Sequence, residues 1–230
     1  MGHILVGGTS PLAWFKWQAL FSDWQVFAVG FGETIIISAL SLMLALAIGV
    51  LVGVLGVAQL APARAVNRVY VEFLQNTPLV IQIFFLYHAL PHIGIMLPVF
   101  AVGVLGIGCY TGAYMAEAVR AGIQAIPRGQ LEAAYSQGFT FSGAMRHIIL
   151  PQAKRVSFPP MTNQVVNLIK NTSVMAMVAG GDLMYHADSW ASTTLHYAPA
   201  YVVTGLLYLS LCLPLATYAR KLERDLEGGL

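Results

Sequence analysis

Five long apolar stretches, divided by shorter polar ones, set the pattern of this chain: residues 34–60, 69–90, 93–116, 158–179 and 197–219. Each is about the 20 residues that cross a bilayer core. A lone span must satisfy its own backbone hydrogen bonds, so each is expected to be a helix. The fourth is more polar than the rest. Ahead of them lie Trp14, Trp17 and Trp24. Indole rings favour the headgroup level, so this segment reads either as a helix lying on the membrane surface or as a floppy polar terminus.

Composition turns these stretches into an argument about solvent. The chain has 230 residues, of which 57% are hydrophobic and 10% charged. Soluble domains are about 45–50% apolar and about 25% charged. One soluble core cannot bury that much apolar surface, whereas lipid can solvate it. The expected fold is an all-α membrane protein with about five transmembrane helices and no soluble second domain. Net charge is +2, too small to suggest nucleic acid. Cys109 and Cys212 lie in apolar runs and read as core residues. Residues 1–10 lack a basic start followed by an apolar core, so no cleavable signal is expected.

Basic residues are distributed on one side. Arg64 and Arg68 lie between stretches one and two. Arg120, Arg128, Arg146, Lys154 and Arg155 lie between three and four, and Arg220, Lys221 and Arg224 follow five. The other side carries Lys16, and the loop after Ala179 carries Asp182 and Asp188 without a basic residue. Basic loops stay cytoplasmic. The expectation is an external N-terminus, a cytoplasmic C-terminus and a cytoplasmic loop at 120–155. The domains expected are an external or interfacial segment (1–30), a transmembrane domain (31–223) and a tail (224–230).

That loop has its own grammar. Pro127 suits a helix start and Gly138 a helix end, which predicts a helix over 129–137. Ala133 and Ala134 are small enough for a partner surface to approach the backbone. A second helix is expected over 141–150, capped by Thr140 or Ser142 and ended by Pro151. With few large apolar residues, the pair is expected to dock rather than to form a core.

The loop reads Glu132-Ala133-Ala134, then Gly138, then Ile148-Ile149-Leu150-Pro151. This resembles the Glu-Ala-Ala signature of importer permeases of the ATP-binding-cassette class, with both gaps matching. Asn76-Thr77-Pro78-Leu79, the run Ala113 to Arg120, Gly129-Gln130, Pro151-Gln152-Ala153 and Lys170-Asn171-Thr172-Ser173 are similar to the polar amino acid subfamily of histidine, glutamine and glutamate/aspartate permeases. The resemblance covers about residues 31–223. It implies alternating access, a bacterial inner-membrane location, a second permease (identical or related), a cytoplasmic ATPase dimer and an external solute-binding protein. It also implies an amino-acid cargo, with glutamate/aspartate or glutamine favoured. ATP and Mg would be used by the ATPase, with no cofactor or metal on this chain. Gly129, Gln130, Glu132, Ala133, Ala134, Gly138, Leu150 and Pro151 would couple to it. Two positions depart from the subfamily: Gln75 stands where arginine is common, and Asp182 where glutamate is common.

Lys170 is the sharpest candidate for the substrate path. A cation deep in a span costs at least ~2.5–3.5 kcal/mol on insertion scales and normally faces a bundle interior or wet cavity. Amino acids carry an α-carboxylate that an ammonium group can hold. Asn163, Asn167 and Lys170 recur at four and three residues, on one helix face. Thr172, Ser173, Asn76 and Thr77 complete the candidate set. The competing reading makes Lys170 half of an ion pair with Glu72 or Glu117. Two further pairs, Arg68–Glu72 and Glu117–Arg120, have helical spacing and read as structural. Pro78, beside Gln75, Asn76 and Thr77, marks a broken polar segment, either a substrate path or a packing kink. Gly49/Gly53 and Gly108/Gly112 suit close helix packing.

Nothing in the sequence suggests catalysis. There is no phosphate-binding glycine loop ending in Lys-Ser or Lys-Thr, so ATP is not expected on this chain. The histidines show no ligand spacing. A secondary transporter would lack the docking signature and commonly shows internal repeats. A membrane enzyme or scaffold would need a nucleophile or metal constellation, or a large soluble face.

Overall fold

The computed structural model describes residue 10 and residues 13–227, and every regular element among the described residues is helical. The helices are α1 (Trp14–Ser22), α2 (Trp24–Leu55), α3 (Ala61–Gln75), α4 (Leu79–Ile93), α5 (Val99–Gln124), α6 (Arg128–Ser136), α7 (Phe141–Ala144), α8 (Leu150–Asn171), α9 (Leu183–Thr194) and α10 (Tyr197–Glu227). The last turns of α4 are π and 3₁₀ in type. A 3₁₀ segment, Thr172–Val178, extends α8.

The chain organises around α5. Its glycines and those of α2 interlock. A methyl group on Gly49 or Gly53 would run into Met115, Ala116 or Val119 of α5, and one on Gly108 or Gly112 into Leu44 or Ile48 of α2. Each helix therefore offers grooves to the other's side chains, the arrangement small residues permit where lipid supplies no hydrophobic drive. On another face of α5, Gly122 admits Ser157 of α8. Ile37, Ala45, Ile83, Val102, Ile107, Met115, Leu168 and Met175 are buried together around this axis.

Three helices, α2, α5 and α10, are long and apolar enough to cross a membrane, and α3 with α4 would make a fourth crossing as a bent pair. The continuous span expected over 69–90 does not form. α3 and α4 meet at 99°, because Pro78 cannot donate the bond that would carry the helix through. α8 is too polar to be counted with α2, α5 and α10.

Other differences have local causes. The helix expected to end at Pro151 instead runs on from α7 through a π turn (Met145–Ile149) into α8, with the proline in its first turn. The widened turn relieves the clash a proline ring makes with the carbonyl four residues back. The loop expected after Ala179 contains α9, capped by Asp182. The Trp-rich segment takes the helical alternative: α1 inserts Leu20 beside Phe27, Leu183 and Trp190, and leaves Trp14, Phe15 and Phe21 exposed. The signal expectation at residues 1–10 falls almost wholly outside the described residues, as do residues 228–230 of the tail.

Candidate translocation site and docking loop

One face of α8 is uncovered, apolar at first and polar over its second half. Val156, Pro160, Asn163 and Lys170 are exposed and Asn167 is half-buried, at spacings of four, three, four and three. Ala153, Ser157, Leu168 and Ile169, on the other side, are buried. The side-chain amides of Asn163 and Asn167 make no hydrogen bond among the described residues, and neither does the Lys170 ammonium. Lys170 has no carboxylate within ion-pair distance among them, so a pair with Glu72 or Glu117 does not form. Such a stripe cannot face hydrocarbon, where each unsatisfied polar group costs several kcal/mol. It needs water, a solute or another protein surface.

The depth of Lys170 follows from helix register. Ser157 packs at Gly122 and Met175 at Gly103, so α8 and α5 run antiparallel in nearly equal steps. Residue 170 is thus level with about Gly108–Cys109, the middle of α5, since both helices rise about 1.5 Å per residue. On the α10 side, Thr162 donates to Glu223 at 3.1 Å and Thr172 meets Tyr208 at 3.4 Å. Lys170 accordingly lies level with the middle of α10, near residues 209–215.

The α3/α4 break sits at the same depth. The Tyr70 hydroxyl donates to the carbonyl of Cys109 at 2.6 Å, and Gln75 donates to that of Ala113 at 3.3 Å. Within the break, Asn76 donates to Glu72 O (2.7 Å) and Thr77 to Phe73 O (2.8 Å). Gln82 reaches back to Leu74 O (2.9 Å) and Thr77 O (3.0 Å), satisfying carbonyls that the interrupted helix leaves open. Gln82 was not singled out from the sequence; its place four residues after Pro78 was the available signal. No hydrogen bond joins Asn76 or Thr77 to α8 among the described residues.

Thr172 and Ser173 part company. Ser173 is half-buried and donates to Lys170 O at 2.8 Å. Thr172 is fully buried, turned into the bundle, and donates to Ile169 O at 2.8 Å. It leads to a second polar node. Asp182, fully buried, accepts from the N–H groups of Met184 and Tyr185 (both 3.1 Å) and from the Tyr208 hydroxyl (2.9 Å). Thr34 of α2 accepts from Leu183 N at 2.9 Å. Burial raises the Asp182 carboxyl above its ordinary value, opposed by these hydrogen bonds and by His186. The node ties α2, the 3₁₀ segment, α9 and α10.

The loop before α8 is a helix with defined ends. Pro127 caps α6, and Gly138 at φ +85° closes it. Phe139 N donates to Ala134 O and Gly138 N to Tyr135 O, at 3.1 and 2.9 Å, the paired bonds that satisfy a helix end around a left-handed residue. The Thr140 hydroxyl caps α7 by accepting from Gly143 N at 3.2 Å. Gly129, Gln130, Glu132, Ala133 and Gly138 are exposed, with Tyr135 beside them; Leu150 is half-buried and Pro151 exposed. Ala134 differs from expectation: it is 1% exposed and faces its own chain. Half-buried Leu131 packs against the buried cluster formed by Val119, Ile123, Met145, Ile149 and Ala153, so α6 is seated on this bundle. Glu117 and Arg120 form the expected ion pair, while Arg68 and Glu72 do not.

Residues 45–228 match the family described as binding-protein-dependent transport system inner membrane component. The chain is 43% identical over 208 residues to the probable glutamine ABC transporter permease protein GlnM of Bacillus subtilis (strain 168), covering 90% of this chain and 96% of that one. It is 30% identical to the L-cystine transport system permease protein TcyB of the same organism, covering 90% and 88%. Among solved structures, an amino acid ABC transporter with histidines superposes with a TM-score of 0.84 at 28% identity, covering 95% of this chain and 100% of that one. The inward-facing MetNI methionine ABC transporter, at 18% identity and a TM-score of 0.74, shares the fold, covering 95% and 99%.

Proposed function

This chain belongs to the family of binding-protein-dependent transport system inner membrane components, and we propose that it is the permease half-pore of an ATP-driven importer of polar amino acids, glutamine-like cargo first. The observation that carries the proposal is the uncovered polar stripe of α8. It places an unpaired ammonium at mid-depth, level with a broken helix whose carbonyls are already satisfied. A second permease copy, identical or related, would cover this face and convert it into a wet path. Lys170 would hold the α-carboxylate common to all amino acids, and Asn163 and Asn167 would offer amide groups along the way.

Coupling follows from α6. A partner ATPase would receive the exposed side of α6 around Glu132, Ala133 and Tyr135. Because α6 lies against α7 and the π turn that leads into α8, a displacement of α6 would be carried into α8. Closure of two ATPases on ATP would draw the two α6 helices together and open the path to an external binding protein, and hydrolysis would reset it. In this reading α8 with its 3₁₀ extension makes the fifth crossing, the C-terminus is cytoplasmic, and the membrane is the bacterial inner membrane.

The test is uptake into proteoliposomes holding this chain with an ABC ATPase and a solute-binding protein from the same organism. Labelled glutamine should accumulate only with ATP inside the accessible compartment. Unlabelled glutamine, glutamate, aspartate and histidine as competitors would rank the cargo. Absence of ATP-dependent uptake for every amino acid tried would reject the proposal.

A further inference from the structure

Away from the α8 stripe, a cavity of about 750 Å³ opens between the α2–α3 turn, the end of α5, and helices α6 and α7. Its walls divide by chemistry. Val57, Ile123, Ile126, Leu131, Met145 and Ile149 make an apolar floor, while Arg64 and Arg128 stand on the lining without a carboxylate beside them. Arg64 donates through one nitrogen, Nη1, to the carbonyls of Ala58 (2.8 Å) and Gln59 (2.7 Å). These neutral partners position its guanidinium without cancelling its charge. Arg128, exposed at the start of α6, has no ion-pair partner among the described residues. Arg120 is close by, its stem against Gly56, but Glu117 neutralises it.

An apolar pocket edged by two uncompensated guanidiniums, where α2 and α5 end, fits a ligand that is anionic at one end and hydrocarbon at the other. We propose that this cavity holds an anionic phospholipid, its phosphate between Arg64 and Arg128 and its acyl chain on the floor. Guanidinium binds phosphate oxygens in a bidentate fork, and basic pockets at the inner face of membrane proteins take acidic headgroups. Assignment to the inner leaflet rests on the orientation proposed above; the pairing of charge and apolar floor does not. The lipid would touch the α2–α3 turn, α5, α6 and α7 at once. It would thereby brace α6, the element proposed to receive the ATPase.

The test uses the assembled transporter, incubated in detergent with equal amounts of dioleoyl-phosphatidylglycerol and dioleoyl-phosphatidylcholine. Lipid retained per permease is counted by native mass spectrometry. Wild type should keep phosphatidylglycerol in preference to phosphatidylcholine. Arg128→Gln, which breaks no hydrogen bond or ion pair among the described residues, should lower retention about fivefold, and Arg64→Gln with Arg128→Gln should lower it further. Arg64→Lys, which keeps the charge and loses the bidentate fork, should fall between wild type and Arg64→Gln. Arg68→Gln, a cation of α3 outside the cavity, should change nothing.

Equal retention by Arg128→Gln and wild type would mean annular lipid only and would overturn the proposal. Displacement of the lipid by millimolar inorganic phosphate would show an anion site without a chain-binding floor, and would overturn it too. Unchanged lipid retention with loss of the ATPase in Arg128→Gln would reassign these arginines to a protein partner. Lipid counting requires no transport, so its failure is separate from failure of the importer assignment.

Discussion

Lys170 carries the heaviest functional weight of any single residue. Its ammonium is unpaired among the described residues and uncovered, at mid-depth. Lys170→Ala should abolish or strongly reduce uptake while the protein still assembles with its ATPase. Lys170→Arg should retain part of it if charge alone matters, and little if the compact ammonium matters. Normal uptake by Lys170→Ala would make this lysine a structural cation. Asp182 makes a different claim, about stability. Its carboxyl is raised chiefly by burial, so its folded form holds the proton more tightly than the unfolded chain does. The stability tied to that proton is full below the ordinary carboxylate value and is lost as pH rises through the raised one. Thermal unfolding in detergent should therefore show wild type gaining on Asp182→Asn as the pH falls from neutral through the carboxylate range. Asp182→Ala should cost about 1–3 kcal/mol, because the Tyr208 hydroxyl and the α9 cap lose their acceptor. An identical pH profile for wild type and Asp182→Asn would show that Asp182 is not held above its ordinary value.

Two elements make claims of their own. The end of α6 depends on Gly138 at φ +85°, with open space around the position of a side chain. A β-branched residue there meets no neighbour, so its cost is the left-handed backbone alone, roughly 1–2 kcal/mol. Gly138→Val should leave the spans folded but release the ATPase, or leave it bound and unresponsive to loaded binding protein; Gly138→Asn should be milder. Co-purification followed by ATP turnover in lipid measures this, and normal stimulated turnover in Gly138→Val would remove α6 from the coupling path. The α3/α4 break depends on Gln82. Gln82→Leu strips donors from Leu74 O and Thr77 O, at about 1–3 kcal/mol if they remain dry. An ionised Gln82→Glu cannot donate either and should be equally unstable in thermal unfolding. Full stability of both variants would mean that water already reaches the break.

For the whole molecule, orientation is the claim to test. Gln130 on α6 and Ser189 on α9 are both exposed, and the charge pattern puts them on opposite sides of the membrane. With Cys109 and Cys212 replaced by alanine, cysteine at Gln130 should react with an impermeant thiol reagent only from the cytoplasmic side. Cysteine at Ser189 should react only from outside. Labelling of both from one side would overturn the five-crossing arrangement. The same scale explains α10, whose Leu206, Leu209, Leu213 and Tyr218 are exposed: an apolar surface this long needs lipid or a second chain.

Much of this was legible without tertiary structure, for physical reasons. The lipid solvent follows from composition, because apolar content and span length report directly on the medium. The ends of α6 follow from Pro127 and Gly138, whose backbone constraints are local. The face shared by Asn163, Asn167 and Lys170 follows from helical period. Tertiary structure alone decided the rest, where distant residues set the outcome. A continuous apolar run could not disclose that α3 and α4 meet at 99°, since the run survives the bend while Gln82 and α5 hold it. Ala133 and Ala134 are identical in chemistry, and only the way α6 is seated on the rest of the chain leaves one exposed and the other buried. Thr172 and Lys170 are neighbours in sequence, yet α10 takes one into the bundle and leaves the other bare. Whether Lys170 had an acidic partner depended on the depth of every carboxylate in the fold, which no local pattern encodes.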